Sequence, residues 1–318
     1  MFDWLFKKKP QTRLGIDFGN SIIKIVEVAK KEGRLNLVNY AMAQSKREGL
    51  RFSELKNEEV ASVLKALMAE AKFSSRVANI SLPVERTFST VIDMPQMEEK
   101  EMAAAIPYEA QKYVPIPVDE VVLDWSLIPS GSGQQKSGET AEQRNMYSSV
   151  KPTVQLLLVA VPKDIIANLT KIAKLAGLEI LALEQEAFSL SRSLVGNDAN
   201  IFLIADFGSR CTDLIVVEQG LIRISHSAES LSKEIILMEI DRVVNLYQMK
   251  YNKKVNQCLL TGGRAAGKEV LEFLSGKLRI PVKIGNPLAR IGHASVLDRA
   301  SEELGLQLSV AIGLAMRE

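Results

Sequence analysis

The chain has 318 residues, 47% of them hydrophobic and 25% charged, with a formal net charge of +2. That length exceeds what one core usually holds and predicts two lobes or several subdomains. The ordinary composition is that of a soluble globular protein, and the near-neutral balance gives no support for nucleic-acid binding. No apolar run is long enough to span a bilayer. The two cysteines, Cys211 and Cys258, lie in apolar, strand-like runs, which reads as a reduced core in the cytosol and not as a disulfide framework.

Residues 1–13 form an aromatic and basic tail in which Phe2, Trp4, Leu5 and Phe6 precede Lys7, Lys8 and Lys9. A secretory signal has the opposite order, charge before apolar run. Two readings stay open: a weak contact with an anionic membrane surface, or a tail that frays or packs on a partner. The stretch 14–28 then predicts two short strands joined at an Asp-x-Gly turn, with β-branched residues on both sides. Gly19 permits the tight turn and leaves no Cβ in the way of a ligand. The amides of Gly19, Asn20 and Ser21 form a nest suited to phosphate oxygens. Asp17 stands beside it, where a carboxylate makes sense if Mg²⁺, through its waters, lies between. Lys24 offers a point charge to the same phosphates. A third strand, 34–44, completes a meander. Residues 57–72 carry Val60, Val63, Leu64, Leu67, Met68 and Ala71 at helical spacing, and 76–82 return as a strand ended by Pro83.

The texture changes over 86–177. A strand at 86–93, a helix at 98–113 kinked or broken at Pro107, a strand at 120–128, a buried strand at 153–160 and a helix at 164–176 ending at Gly177 make a small α+β subdomain. The stretch 130–152 is rich in Gly, Ser, Gln and Lys and predicts a flexible surface loop. This block is read as an insertion in a first lobe whose core is 14–85 and 178–200.

A strand at 179–183 and a helix at 186–194 lead to a second hairpin over 204–217, where Asp206, Phe207 and Gly208 match Asp17, Phe18 and Gly19. A strand at 221–225, a long helix at 232–249, a strand at 255–260, a helix at 267–278 and a strand at 281–284 follow. They form a second lobe over 201–306, and residues 307–318 make a closing helix. Gly262 and Gly263, after a buried strand and before a helix, bare the backbone for a flat ring or a phosphate. Two related hairpins far apart suggest a duplicated α/β fold whose turns grip one polyphosphate from opposite sides. The plainer alternative is two ordinary hairpins.

These residues resemble the actin-like ATPase superfamily (actin, DnaK-type chaperones, sugar kinases, FtsA and MreB). Gly15-Ile-Asp-Phe-Gly-Asn-Ser21 is similar to its first phosphate motif and Ala205-Asp-Phe-Gly-Ser-Arg-Cys-Thr212 to its second. Leu260-Thr-Gly-Gly-Arg264 resembles its adenosine motif, and Glu186-Ala-Phe-Ser-Leu190 its connecting helix. Within the superfamily the chain resembles the PilM family of type IV pilus assembly proteins. The opening Met1-Phe-Asp-Trp-Leu-Phe-Lys7, the run Tyr113-Val-Pro-Ile-Pro-Val-Asp-Glu-Val-Val-Leu-Asp124, Gly285-Asn-Pro-Leu-Ala-Arg290 and the ending Ser309-Val-Ala-Ile-Gly-Leu-Ala-Met-Arg317 carry that likeness over almost the whole chain. Arg210, and Ala228-Glu-Ser230 where relatives often have Gly-Gly, depart from the pattern. Both weigh against efficient hydrolysis more than against nucleotide binding.

The resemblance implies an actin-like ATPase fold of two duplicated lobes with an inserted α+β subdomain in the first, and it implies Mg²⁺-ATP. Asp17 and Asp206 would hold Mg²⁺ through water, and Glu186 would polarise the attacking water. Lys24, Thr212 and the turn residues Gly19, Asn20, Ser21, Gly208, Ser209 and Arg210 would meet phosphates. Gly262, Gly263 and Arg264 would meet the adenosine, and Glu239 and Arg242 would flank ribose or adenine. The alternative for Glu239 and Arg242 is a solvated i,i+3 ion pair, and for Glu186 a helix-start carboxylate favoured by the dipole. His226 and His293 lack metal-like companions and are read as structural.

The implied role is a cytoplasmic, ATP-binding scaffold of the type IV pilus or a related type II secretion platform, peripheral on the inner membrane, with slow or no hydrolysis. Its implied partner is the tail of a PilN-like inner-membrane protein, received in a groove between the first-lobe core and the insertion. Other platform proteins, the pilus motor ATPase and self-association are further expected contacts. The competing reading is an FtsA-like filament-forming ATPase, disfavoured because no amphipathic helix follows the closing helix before Glu318. A sugar kinase would need substrate loops that the sequence lacks.

Overall fold

The computed structural model describes residues 12–44, 52–128, 152–229, 232–294 and 301–317. The contacts divide the chain into two compact units, Met1–Arg86 with Asp164–Glu318, and Thr87–Lys163.

The larger unit is built on two five-stranded sheets. In the first, β1 (Thr12–Phe18), β2 (Ile22–Lys31) and β3 (Arg34–Gln44) form an antiparallel meander. Then β4 (Val77–Leu82) pairs parallel with β1, and β8 (Glu179–Gln185) pairs parallel with β4. The second sheet repeats that order: β9 (Ile201–Phe207), β10 (Thr212–Glu218) and β11 (Leu221–Ala228) are the meander. There β12 (Gln257–Thr261) and β13 (Val282–Ile284) are the parallel additions. Each middle strand carries one register irregularity against its third strand, at Glu27/Val28 and at Val216/Val217. The duplication inferred from two turns therefore extends to whole sheets.

Parallel strands need a crossover, and helices cover them for that reason. In chain order these are α1 (Asn57–Glu70), α3 (Lys163–Ala176), α4 (Glu186–Leu190), α5 (Lys233–Tyr251), α6 (Lys268–Ser275) and α7 (Ser301–Ala315), with α2 (Glu99–Ala110) in the smaller unit. Helix α7 lays Leu308, Ala311, Ile312 and Ala315 on Val26 and Val28 of the first sheet. The approach depends on Gly15: a Cβ there would strike the Ala311 carbonyl and come within 2.6 Å of the Ala315 nitrogen. On the second sheet, Ile236, Ile240, Val243 and Tyr247 of α5 pack on Leu203, Ala205, Leu214 and Val216. Burying each such Leu, Ile or Val side chain stabilises the unit by about 1.5–3 kcal/mol.

The smaller unit is the antiparallel sheet β5 (Phe88–Pro95), β7 (Thr153–Pro162), β6 (Val121–Ile128), with β7 central. Met102, Ile106 and Ala110 of α2 pack with Ile92, Leu156 and Leu158 of this sheet.

Several element boundaries differ from the sequence reading. Strand β1 starts at Thr12, inside the stretch read as tail, because Thr12 and Arg13 pair with Ala29 and Val28. The rest of that tail, and 130–151 of the loop, lie outside the described residues. A 3₁₀ turn, Val84–Arg86, separates β4 from β5, so β5 starts at Phe88. Pro107 lies inside α2 without ending it, and that helix stops at Ala110. The compact smaller unit ends at Lys163, before the helix that the reading assigned to the insertion. Helix α3 belongs beside α1, where Asn57 donates to Asn168 at 3.0 Å and Lys171 pairs with Glu58 at 2.8 Å. Helix α4 gives way at Ser191–Val195 to a π-turn. The closing helix starts at Ser301, six residues before the run that the reading placed at 307, since its polar first turn carries no apolar signal. Among the described residues, no helix is long and apolar enough to cross a membrane.

Candidate functional site

The two Asp-x-Gly turns meet. Ser21 Oγ, on the first, donates to Ser209 Oγ on the second at 3.3 Å, although 188 positions separate them in sequence. Each turn carries its aspartate at the end of the incoming strand, and the cross-strand registers correspond. Asp17 stands opposite Lys24, and Asp206 opposite Asp213.

Asp17 is buried and fully engaged. Lys24 Nζ donates to its Oδ2 at 2.8 Å and Ser81 Oγ to its Oδ1 at 3.2 Å, while Ser81 Oγ accepts from the Phe18 amide at 3.1 Å. Burial works against the Lys24 charge. Asp17, and then Asp206 and Glu186, outweigh it and raise the Lys24 pKa above its ordinary value.

Asp206 is raised to about 6, chiefly because burial penalises its charge. Asp17 adds to the rise, while Lys24 and Arg264 oppose it. Asp213 is pushed well above the ordinary carboxylate range by burial and then by Asp206. Glu186, the first residue of α4 after the N-cap Gln185, is also pushed well above that range. Burial is again the main cause, with Asp17, Asp213, Glu85 and Asp206 adding to it. Glu186 is thus both the helix-start carboxylate of one reading and a member of the acidic group at the hairpins.

Arg264, which the resemblance implies at the adenosine, is bonded to the second turn. Its Nε donates to the Gly208 carbonyl, and its Nη2 donates to Thr212 Oγ1 at 3.0 Å and to the Cys211 carbonyl at 3.4 Å. The guanidinium lies 5.7 Å from the Phe207 ring centroid, a cation–π distance. It staples the second turn. Gly262, with φ 88°, leads into this residue. A Cβ on it would strike Asp206 Oδ1 and come within 2.5 Å of the Phe207 carbonyl, so only glycine lets β12 run so close to the hairpin.

Glu239 and Arg242, on α5, form the i,i+3 pair at 3.6 Å, and His226 Nε2 lies 2.8 Å from Glu239 Oε2. His293 Nδ1 lies 3.2 Å from the Ile291 carbonyl. Gly208 is half-buried, Ser209 and Arg210 are exposed, and Thr212 is fully buried. Sequence reasoning missed Ser81, Asp213 and Glu85. Asp213 had a signal: an aspartate beside the apolar run Leu214–Val217, in a strand that the structure buries at every position.

A cavity of about 530 Å³ opens beside the turns, lined by Gly19, Asn20, Arg210 and Cys211 on the hairpin side. Val60 of α1 and Leu169 of α3 lie on its apolar wall.

Matched five-stranded sheets with opposed Asp-x-Gly turns define an actin-like ATPase fold. A solved structure, the PilM-PilN type IV pilus biogenesis complex, matches this chain with a TM-score of 0.78 at 21% identity, over 96% of this chain and 98% of that one. The cytoplasmic domain of EpsL, an inner membrane component of the type II secretion system of Vibrio cholerae, matches at 0.51 and 7% identity, over 79% and 82%. The ethanolamine utilization protein EutJ from Carboxydothermus hydrogenoformans matches at 0.51 and 14%, over 97% and 90%. The family profile described as type IV pilus assembly protein PilM matches residues 15–224, more than half of the chain. The chain belongs to that family.

Proposed function

We propose that this chain is an ATP-binding scaffold of the type IV pilus inner-membrane platform, or of the related type II secretion platform, and holds the cytoplasmic tail of a PilN-like membrane protein. The carrying observation is the contact between the two turns, Ser21 to Ser209 at 3.3 Å, beside a group of carboxylates richer in negative than in positive charge. Lys24 opposes Asp17, Asp206 and Glu186, and Arg264 opposes Asp206, while Asp213 stands across the ladder from Asp206. Such a donor set suits a hydrated divalent ion, and the turn amides and Lys24 suit phosphate oxygens. The residues therefore fit Mg²⁺-ATP.

Bound Mg²⁺-ATP supplies positive charge to the carboxylates and a polyphosphate to the amide nests. Asp17 and Asp206 would hold the ion through water. Lys24, Thr212 and the amides of Gly19, Asn20, Ser21, Gly208 and Ser209, with Arg210, would bind phosphate. Gly262 and Gly263 would admit the adenosine, with Arg264 keeping the second turn in shape and Glu239 and Arg242 at the ribose or adenine. Glu186 is the candidate for accepting a proton from water. Its raised pKa makes the carboxylate a stronger base but keeps the group protonated further up the pH scale, so a smaller fraction is free to accept a proton and turnover is slow.

The partner assignment is supported by family membership and by the PilM-PilN complex that shares the fold. A peripheral place on the inner membrane follows from capture of that tail, with residues 1–9 adding a weak second contact. Calorimetry tests the nucleotide part: micromolar Mg²⁺-ATP affinity, on the order of −8 kcal/mol, is expected, and no detectable binding overturns it. Co-sedimentation with membranes carrying a PilN-like protein tests the partner part. Deletion of residues 1–9 is expected to weaken recruitment, and removal of Thr87–Lys163 to end it. A folded protein without that unit that still sediments overturns the assignment.

A further inference from the structure

We propose that Glu85, Cys211 and Asp213 form a second cation site, which takes a thiophilic divalent ion of the Zn²⁺ type and ties the two sheets of the larger unit together. This goes beyond the nucleotide reading, which gives Mg²⁺ to Asp17 and Asp206. One ligand atom of each of the three side chains lies within 4.8 Å of the other two. Cys211 closes the second turn just before β10, Asp213 follows two positions on in that strand, and Glu85 sits on the 3₁₀ turn after β4. The donors thus come from both halves of the duplication.

An independent observation points to a ligand. Asp213 is only 5% exposed, and its Oδ1 has no hydrogen-bond partner. A buried carboxylate oxygen left unsatisfied loses hydration with nothing in return, and coordination to a cation removes that cost. The cavity beside the turns is lined by both Glu85 and Cys211, which gives an ion a way in.

The donor chemistry selects the ion. Mg²⁺ and Ca²⁺ take oxygen ligands almost alone, whereas Zn²⁺ takes Cys sulfur at about 2.3 Å and carboxylate oxygen at about 2.0–2.2 Å. Three protein ligands leave a fourth, open position for water. Glu85 is exposed and can swing inward to close the set. As the sulfur–metal bond forms, Cys211 gives its thiol proton to solvent, and no electron changes hands.

The test is Co²⁺ titration of the full chain, stripped of metal and nucleotide. One equivalent is expected to produce the near-ultraviolet charge-transfer band of thiolate-bound cobalt, and Zn²⁺ is expected to displace it. The band should vanish in Cys211→Ser and persist in Cys258→Ser, whose sulfur is buried in β12 away from the group. Asp213→Asn and Glu85→Gln should each weaken cobalt binding at least tenfold. Zn²⁺ should raise the Tm of the unaltered chain and not that of Cys211→Ser. No band, or a band that survives Cys211→Ser, overturns the site. Should Cys211→Ser fail to fold, unchanged cobalt affinity in the exposed-site variant Glu85→Gln overturns it instead. Mg²⁺-ATP calorimetry on Cys211→Ser and Glu85→Gln, neither of which the nucleotide reading uses, tests that reading separately: lost cobalt binding with retained ATP affinity separates the two sites.

Discussion

The two hairpins at the centre of this protein share a fold and differ in charge. Each has an aspartate one strand-end from the turn and a side chain directly across the ladder, but that side chain is Lys24 in the first and Asp213 in the second. The first hairpin is electrostatically self-sufficient: Asp17 is bonded to Lys24 and Ser81. The second carries a like-charge pair, its turn is held by Arg264 through carbonyls and a hydroxyl, and both its aspartates are raised. Duplication of a backbone thus leaves room for one half to be pre-paired and the other to be poised for a cation. Lys24 reaches beyond its own hairpin, since it also lowers the pKa of Asp206.

The largest expected effect comes from breaking the first pair. Lys24→Met leaves Asp17 buried at 2% exposure beside other carboxylates, and removing one partner of a buried pair costs about 3–5 kcal/mol. Urea unfolding of this variant and of Lys24→Met with Asp17→Asn measures it, and the double variant is expected to recover most of the loss. Equal midpoints for the two would mean that the pair does not hold the first hairpin.

Next is the poised side. Asp206→Ala is expected to lower Mg²⁺-ATP affinity about a hundredfold, equivalent to about 2.7 kcal/mol. Full affinity in calorimetry would put the phosphates elsewhere.

A third effect is a pH slope. Asp206 is held at about 6 against an ordinary value of 3.8, so between those values the folded chain binds more protons at this residue than the unfolded chain does. Its contribution to stability therefore falls as pH rises from 3.8 to about 6 and is level above. In chelator-treated, nucleotide-free protein, Asp206→Asn should gain stability relative to the unaltered chain across that window. A difference independent of pH would contradict this.

The smallest effect concerns the staple. Arg264→Lys keeps the charge but loses the fork that reaches Gly208, Cys211 and Thr212. Amide exchange should quicken in the second turn and not in the first, with ATP affinity reduced about threefold, or about 0.7 kcal/mol. Equal quickening of both turns would show that Arg264 acts on the unit as a whole.

The two turns at the centre of the candidate site were legible in the sequence. Asp17, Gly19 and Lys24, with Asp206 and Gly208, could be picked out because a tight turn between two β-branched runs is a local pattern, and the second copy told it from an ordinary hairpin. Glu239 and Arg242 showed their i,i+3 spacing, and the structure adds that His226 shares Glu239. Arg264 was read by motif position as an adenosine contact, and the fold adds that its guanidinium donates to two carbonyls, 56 and 53 positions earlier, and to a hydroxyl 52 positions earlier. No local pattern encodes a bond of that span.

By itself, the sequence determined the strands and helices whose periodicity lies within a few residues, the two turns and the duplicated α/β class, since backbone preference and side-chain alternation act at short range. It also carried the residues through which the PilM family is recognised. Only the tertiary structure decided that the turns meet at Ser21 and Ser209, that Glu186 stands among Asp17, Asp206 and Asp213, and that Glu85 comes to Cys211. Those approaches depend on how two sheets, sharing no strand, are brought together by α4 and α7. Burial then decided which carboxylates hold their protons, because the cost of a charge depends on the surroundings and not on its neighbours in the chain.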